Sequence, residues 1–207
     1  MLELYHAPRS RATRVIQLIE EMGVGSEIAL HEVAIPRFDG SGGRDPANPH
    51  PEGKVPLLVH DGAEIRESNA IMLYLTDHFD SPLGRPVGHP SRGAYLSWLA
   101  WYGNVFEPVY VLQIAEARHP AFDATFRDVP TAVARLEEAL TGKDYLVDDA
   151  FSAADIIVSS TYGWFRDAIP DVPVIRDWVA RCLERPKMLA VTRAQALPED
   201  HSSSSGS

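Results

Sequence analysis

Cysteine is almost missing from this chain. Cys182 stands alone among 207 residues, which rules out an internal disulfide and a Cys-x-x-Cys redox pair and makes a reducing cytoplasm the expected location. A basic excess is missing too. The formal net charge is -10, which argues against nucleic acid or an anionic membrane as a main partner. No apolar run approaches the ~20 residues of a membrane span. The opening Met1-Leu2-Glu3-Leu4 has neither the basic nor the apolar region of a signal peptide, so none is expected. The eight histidines include no pair at helical or finger spacing, and no metal site is expected. What is present is ample apolar material: 45% of the residues are hydrophobic, enough for a real core in one or two domains. Arg9, Arg11 and Arg14 crowd one short segment, so the acidic total does not forbid an anionic ligand.

Leu2, Leu4 and Tyr5 begin a strand that ends near Ala7-Pro8. Val15, Ile16, Leu18, Ile19 and Met22 then recur at helical spacing, with Gly23 placed as a stop. Ile28 to Val33 reads as a second strand, and strand–helix–strand usually makes a parallel pair. Arg37 to Gly53 is rich in Gly, Pro, Asp and Asn and reads as a loop. Strands from Val55 to His60 and around Ile65 flank Asp61-Gly62, a favoured hairpin turn, and a helix from about Asn69 to Phe79 closes the unit. This order resembles the thioredoxin arrangement. Asp80 to Pro90, with three prolines and two glycines, reads as a linker. Strand signals then vanish. Ala94 to Ala117 is expected as one long aromatic-rich helix bent near Pro108, Val129 to Leu140 as another, and Val174 to Leu183 as a late one ended by Pro186. Ser152-Ala-Ala-Asp155 resembles a capping box, with Phe151 in the place of a hydrophobic staple, and is read as a structural element. The expected fold class is α/β plus all-α: a thioredoxin-like domain over residues 1–80, a linker over 81–90, a helical-bundle domain over 91–198 and a flexible tail over 199–207.

The most informative residues are Lys54-Val55-Pro56 and, a short hairpin later, Glu67-Ser68-Asn69-Ala70. Pro56 cannot donate a ladder hydrogen bond, so it starts or edges its strand and frees the backbone of Val55 for a ligand. Ser68 opens a helix whose N–H groups and positive dipole end suit a carboxylate. Glu67 beside it can take an ammonium group. A backbone edge, a carboxylate receiver and an ammonium receiver together suit a short peptide with a free amino-acid end. The pattern resembles the glutathione-binding half of the soluble glutathione transferases. The resemblance implies that Pro56 is cis, that Val55 pairs by backbone with the cysteinyl part of glutathione, and that Glu67-Ser68 take its γ-glutamyl end. It also implies a two-fold homodimer, with Lys54 on the glycine carboxylate. His50 is a weaker candidate, because Asn48-Pro49-His50-Pro51-Glu52-Gly53 is longer than the family's usual form.

Such an enzyme must turn the glutathione thiol into a thiolate, the stronger nucleophile. A free thiol titrates at about 8.5. A hydrogen bond to a charged group contributes roughly 1.5–3 kcal/mol, so one hydroxyl lowers the pKa by about one to two units. The candidate is Ser10. Leu4-Tyr5-His6-Ala7-Pro8-Arg9-Ser10, with Arg14 beyond, resembles the serine-type (delta and theta) members, although Arg11-Ala12-Thr13 departs from the small or proline residues usual there. Capping of the first helix would compete for the same hydroxyl. Tyr5, in the register of the tyrosine-type enzymes, and Arg9 or Arg11 are alternative thiolate stabilisers. Tyr102, Phe106 and Tyr110 recur at four-residue spacing, with Trp164 expected to approach them; if the stripe lines a pocket rather than core or a subunit interface, the second substrate is apolar or aromatic. Cys182 is expected to be inert core. The function implied is conjugation of the glutathione thiolate to small electrophiles. A glutathione-dependent disulfide or peroxide reductase, or a non-catalytic glutathione-transferase-like binding protein, is the alternative.

Overall fold

The computed structural model describes residues 1–196. The tail expected over 199–207, and the last residues of the expected helical domain, lie outside them. Strands β1 (Leu2–His6), β2 (Ile28–Glu32), β3 (Leu57–His60) and β4 (Ala63–Ile65) form one sheet in the order β2-β1-β3-β4. β1 runs parallel to β2 and antiparallel to β3, and β3 pairs antiparallel with β4. This is the thioredoxin-like mixed sheet. At the hairpin Asp61 and Gly62 both take positive φ, 49° and 84°, which a glycine in the second position accommodates without a Cβ clash.

Helix α1 (Thr13–Met22) lays Val15, Ile16, Leu18 and Ile19 on the core. It stops where expected, because Gly23 adopts φ 74° and returns its N–H to Ile19 and Glu20 carbonyls. Helix α2 (Ser68–His78) buries Ile71, Met72 and Leu75 against the same core. Between β2 and β3 the chain carries turns and no helix.

The second half is all helical: α3 (Arg92–Trp101), α4 (Glu107–Ile114), α5 (Pro120–Phe126), α6 (Val129–Leu140), α7 (Ala153–Trp164), α8 (Pro173–Leu183) and α9 (Pro186–Ala194). Three expectations are corrected here. The long helix is interrupted by a π-helical turn over Tyr102–Phe106, immediately before Pro108, which has no N–H to return to the preceding turn. Pro186 opens α9 instead of merely ending α8. Helix α5 was not expected at all.

The capping box forms. The backbone N–H and hydroxyl of Ser152 both donate to Asp155 Oδ2 at 2.9 Å, while Asp155 Oδ1 accepts from Leu146 N–H at 3.0 Å and Trp178 Nε1 at 2.9 Å. The two halves are stitched together by α1. Arg185 grips Glu21 with two bonds of 2.9 and 2.8 Å, and Thr13 and Gln17 pair with Gln195, just past α9, and Thr192 of α9.

Candidate active site

A cleft of about 710 Å³ opens where the end of β1, the approach to β3 and the start of α2 face the π-helical turn of the second half. Ser10, Lys54, Val55, Pro56, Glu67 and Ser68, read from scattered stretches of sequence, all line it. The Val55–Pro56 peptide is cis, and the ladder with β1 begins only at Leu57. The backbone N–H and C=O of Val55 make no hydrogen bond with the described residues. Asn48 holds this turn in place: its Nδ2 donates to the Lys54 carbonyl at 3.1 Å and its Oδ1 accepts from His50 N–H at 3.0 Å. His50 reaches the cleft despite the longer stretch around it. Its Nδ1 accepts from Glu52 N–H at 3.1 Å, so the neutral ring carries its proton on Nε2 and offers a donor. Lys54 pairs with Glu52 at 2.5 Å on the surface.

The start of α2 is an open helix end. Glu67 precedes it at φ 68° and ψ 126°, and no side chain from that position caps the first turn. A glutamate held at positive φ is unusual, and such backbone clusters at ligand sites. Asn69 Nδ2 donates to the Leu99 carbonyl at 3.2 Å, which docks this helix end onto α3. Asn69 Oδ1 takes the Ala70 N–H at 3.0 Å, which leaves the Ser68 and Asn69 N–H groups and the helix dipole for the cleft.

Ser10 is buried in the turn before α1. Its hydroxyl donates to the Ala7 carbonyl at 2.6 Å and accepts from Ala12 N–H at 3.1 Å. The one proton it can offer is thus held inside the loop. Arg37, which no sequence pattern singled out, clamps that loop by donating to the carbonyls of Pro8 at 2.8 Å and Arg9 at 2.9 Å. Arg9, at φ 52°, and Arg11 both line the cleft, and Arg11 Nε donates to Glu107 at 2.9 Å.

Beneath them lies a network missed in the sequence. Arg14, only 4% exposed, donates to the Tyr102 hydroxyl and stacks over its ring at 4.8 Å. Tyr102 in turn donates to Glu107 Oε1 at 3.0 Å. Burial pushes the Glu107 carboxyl up, but Arg14, Arg11 and the hydrogen bonds outweigh it and hold the group below the ordinary glutamate range. Burial also raises the Tyr102 phenol, offset in part by Arg14, so it stays a donor. The π-helical turn explains the meeting: its extra residue places both Tyr102 and Glu107 toward α1. The cleft wall counts five cations (Arg9, Arg11, Arg14, Arg37, Lys54) against three carboxylates (Glu52, Glu67, Glu107). In a chain of net charge -10 this is a local field that favours an anionic ligand.

Some expected residues lie elsewhere. Tyr5 stacks on His31 at 4.8 Å and is not among the residues that line the cleft. It packs on the small apolar cluster of Ala7, Ala12, Val33, Val55 and Ile35, of which Val55 and Ile35 line the cleft while Tyr5 does not. Phe106 and Tyr110 are 0% and 2% exposed, packed on Tyr162 in the helical core, so they form no pocket wall. Of the stripe only Tyr102 touches the cleft. Trp164 stacks on none of the three and lines a separate cavity. Cys182 is buried, and burial pushes its thiol well up.

The first half of the chain, residues 4–83, matches the family model of the glutathione S-transferase N-terminal domain, and residues 90–186 match that of the C-terminal domain. The chain belongs to the glutathione S-transferase family. Among its relatives, Protein LigF of Sphingobium sp. (strain NBRC 103272 / SYK-6) is 30% identical, with 66% of this chain and 72% of LigF covered. Glutathione S-transferase GstA of Escherichia coli O157:H7 is 28% identical, with 84% and 89% covered. A solved sphingomonad glutathione S-transferase complexed with glutathione superimposes with a TM-score of 0.76 at 27% identity, over 95% of this chain and 100% of that one. As in other glutathione transferases, the fold is a thioredoxin-like half followed by a helical half. No helix among the described residues is long and apolar enough to cross a membrane.

Proposed function

We propose that this protein is a glutathione transferase that joins the glutathione thiolate to small electrophiles, working as a homodimer in the cytoplasm. The observation that carries the reading is the meeting, in one cationic cleft, of the unpaired Val55 backbone and the open start of α2. Val55 would pair with the cysteinyl N–H and C=O. The α-carboxylate of the γ-glutamyl end would sit on the N–H groups and hydroxyl of Ser68, with its ammonium on Glu67. Lys54 and His50 would take the glycine carboxylate.

That placement sends the sulfur toward the β1–α1 turn and Ser10. To serve there, the hydroxyl must leave the Ala7 carbonyl. The exchange is favourable: a neutral hydrogen bond is worth about 1 kcal/mol net, one to a charged partner about 1.5–3 kcal/mol. The Ala12 N–H bond to Ser10 Oγ polarises the hydroxyl and strengthens it as a donor. The thiolate then attacks an electrophilic carbon, the new C–S bond forms, and the leaving group departs with its electron pair. Arg9 and Arg11, at the same turn, supply a positive field and are the alternative stabilisers.

The test is a titration of the thiolate absorbance of bound glutathione. Ser10→Ala is expected to raise the apparent thiol pKa by about one to two units, with glutathione still bound. An unchanged pKa removes Ser10 from the mechanism. A rise seen instead in Arg11→Gln or Arg9→Gln assigns the role to an arginine.

A further inference from the structure

We infer that the second cavity, of about 430 Å³, receives the co-substrate and is built for an aromatic compound that carries a negative charge; this rests on the glutathione reading above. The cavity lies between α1, the end of α7 and α9, and shares Arg9 and Arg14 with the glutathione cleft, so the two spaces meet at the β1–α1 turn. Its size falls in the range of about 300–1,000 Å³ typical of small-molecule sites.

Its wall has two parts. Trp164, 41% exposed, with Leu183 and Leu189 offers an apolar surface suited to a flat ring. Arg9 and Arg166 stand at the rim, and neither forms an ion pair among the described residues. The polar groups opposite are already committed: Thr13 donates to Gln195 at 2.6 Å and Gln17 to Thr192 at 3.3 Å. Arg14 commits Nη1 to Tyr102 and Nη2 to Glu107, leaving only its buried Nε without a partner among the described residues. Among the described residues the lining contains three arginines and no Asp or Glu, in a chain where acidic residues outnumber basic ones 29 to 19. A neutral arene would use the apolar wall alone. An arene with a carboxylate would use both parts, since a planar guanidinium matches a carboxylate fork.

The experiment compares 4-chloro-3,5-dinitrobenzoate with 1-chloro-2,4-dinitrobenzene, each rate corrected for its uncatalysed reaction. In both, thiolate sulfur bonds to the ring carbon and chloride leaves. The wild type is expected to favour the anionic arene, and Arg166→Gln to lower the anionic-to-neutral ratio of kcat/KM by roughly tenfold, more steeply at low salt. A second arm needs no turnover: unreactive 3,5-dinitrobenzoate should quench tryptophan fluorescence, and Trp164→Phe should abolish the quench. Conjugation of both arenes with no anion preference, or a ratio unmoved in Arg166→Gln, overturns this inference and leaves the transferase reading standing. Trp164-dependent binding of dinitrobenzoate by a protein that conjugates neither arene keeps the ligand class and overturns the transferase reading.

Discussion

Two helix starts in this molecule bring a serine and an acid together, and they are opposites. At α7, Ser152 and Asp155 close on each other. Both are fully buried, and Asp155 accepts four hydrogen bonds from Ser152, Leu146 and Trp178. At α2, Glu67, at positive φ, gives no cap, and apart from the Ala70 N–H that Asn69 takes, the first-turn donors face a cationic cleft. The residue types are nearly the same. The difference is where the hydrogen bonds go. A helix end whose donors are satisfied from within holds the fold together, and one whose donors face a cavity is available to a ligand.

Mutations at the two ends should therefore separate stability from binding. Asp155→Ala leaves four donors in the core without an acceptor. It is expected to cost about 3 kcal/mol or more, read as a lower midpoint in urea unfolding. Loss of under 1 kcal/mol would mean that the box at α7 is no tighter than the open end at α2.

The Glu107 network should lie between these extremes. Its carboxyl is held below the ordinary range of about 4.3. Its contribution is then fully present above that range and lost as pH falls through the depressed value. Glu107→Gln is expected to cost about 1.5–3 kcal/mol at neutral pH and to flatten this acid limb in a stability-versus-pH series. An unchanged limb would show that Arg14 and Arg11 do not depend on the charge.

The smallest effect on stability belongs at α2. Ser68→Ala should stay within ~0.5 kcal/mol of the parent in unfolding while weakening glutathione binding roughly tenfold by calorimetry. Equal loss of stability and binding would erase the contrast between the two helix starts.

What could be read along the chain was local. Gly23, the Asp61-Gly62 turn, the α7 box and the Pro56 and Ser68 signals each depend on residues within a few positions, and each forms as read. The succession of the four strands along the chain, and the resemblance to the thioredoxin arrangement, followed from them. What could not be read depends on residues far apart. Arg14 meets Tyr102 and Glu107 across about ninety positions, and Arg37 reaches back to Pro8 and Arg9. The stripe of Tyr102, Phe106 and Tyr110 looks the same whether it lines core or pocket; only the packing of α7 against it decides, and Tyr162 closes over Phe106 and Tyr110. The π-helical turn has no marker in spacing, yet it sets the cleft floor. Helices α5 and α9 both open on proline, a residue more readily read as a stop.

The central claim is that an extended tripeptide lies along the Val55 backbone with its amino-acid head at the start of α2. A crystal structure of the protein soaked with glutathione tests it most directly. The account predicts cysteinyl N–H and C=O groups within hydrogen-bond distance of Val55, the α-carboxylate on the Ser68 N–H, and the sulfur at the β1–α1 turn. Glutathione bound anywhere else, or density in this cleft that leaves Val55 unpaired, would contradict it.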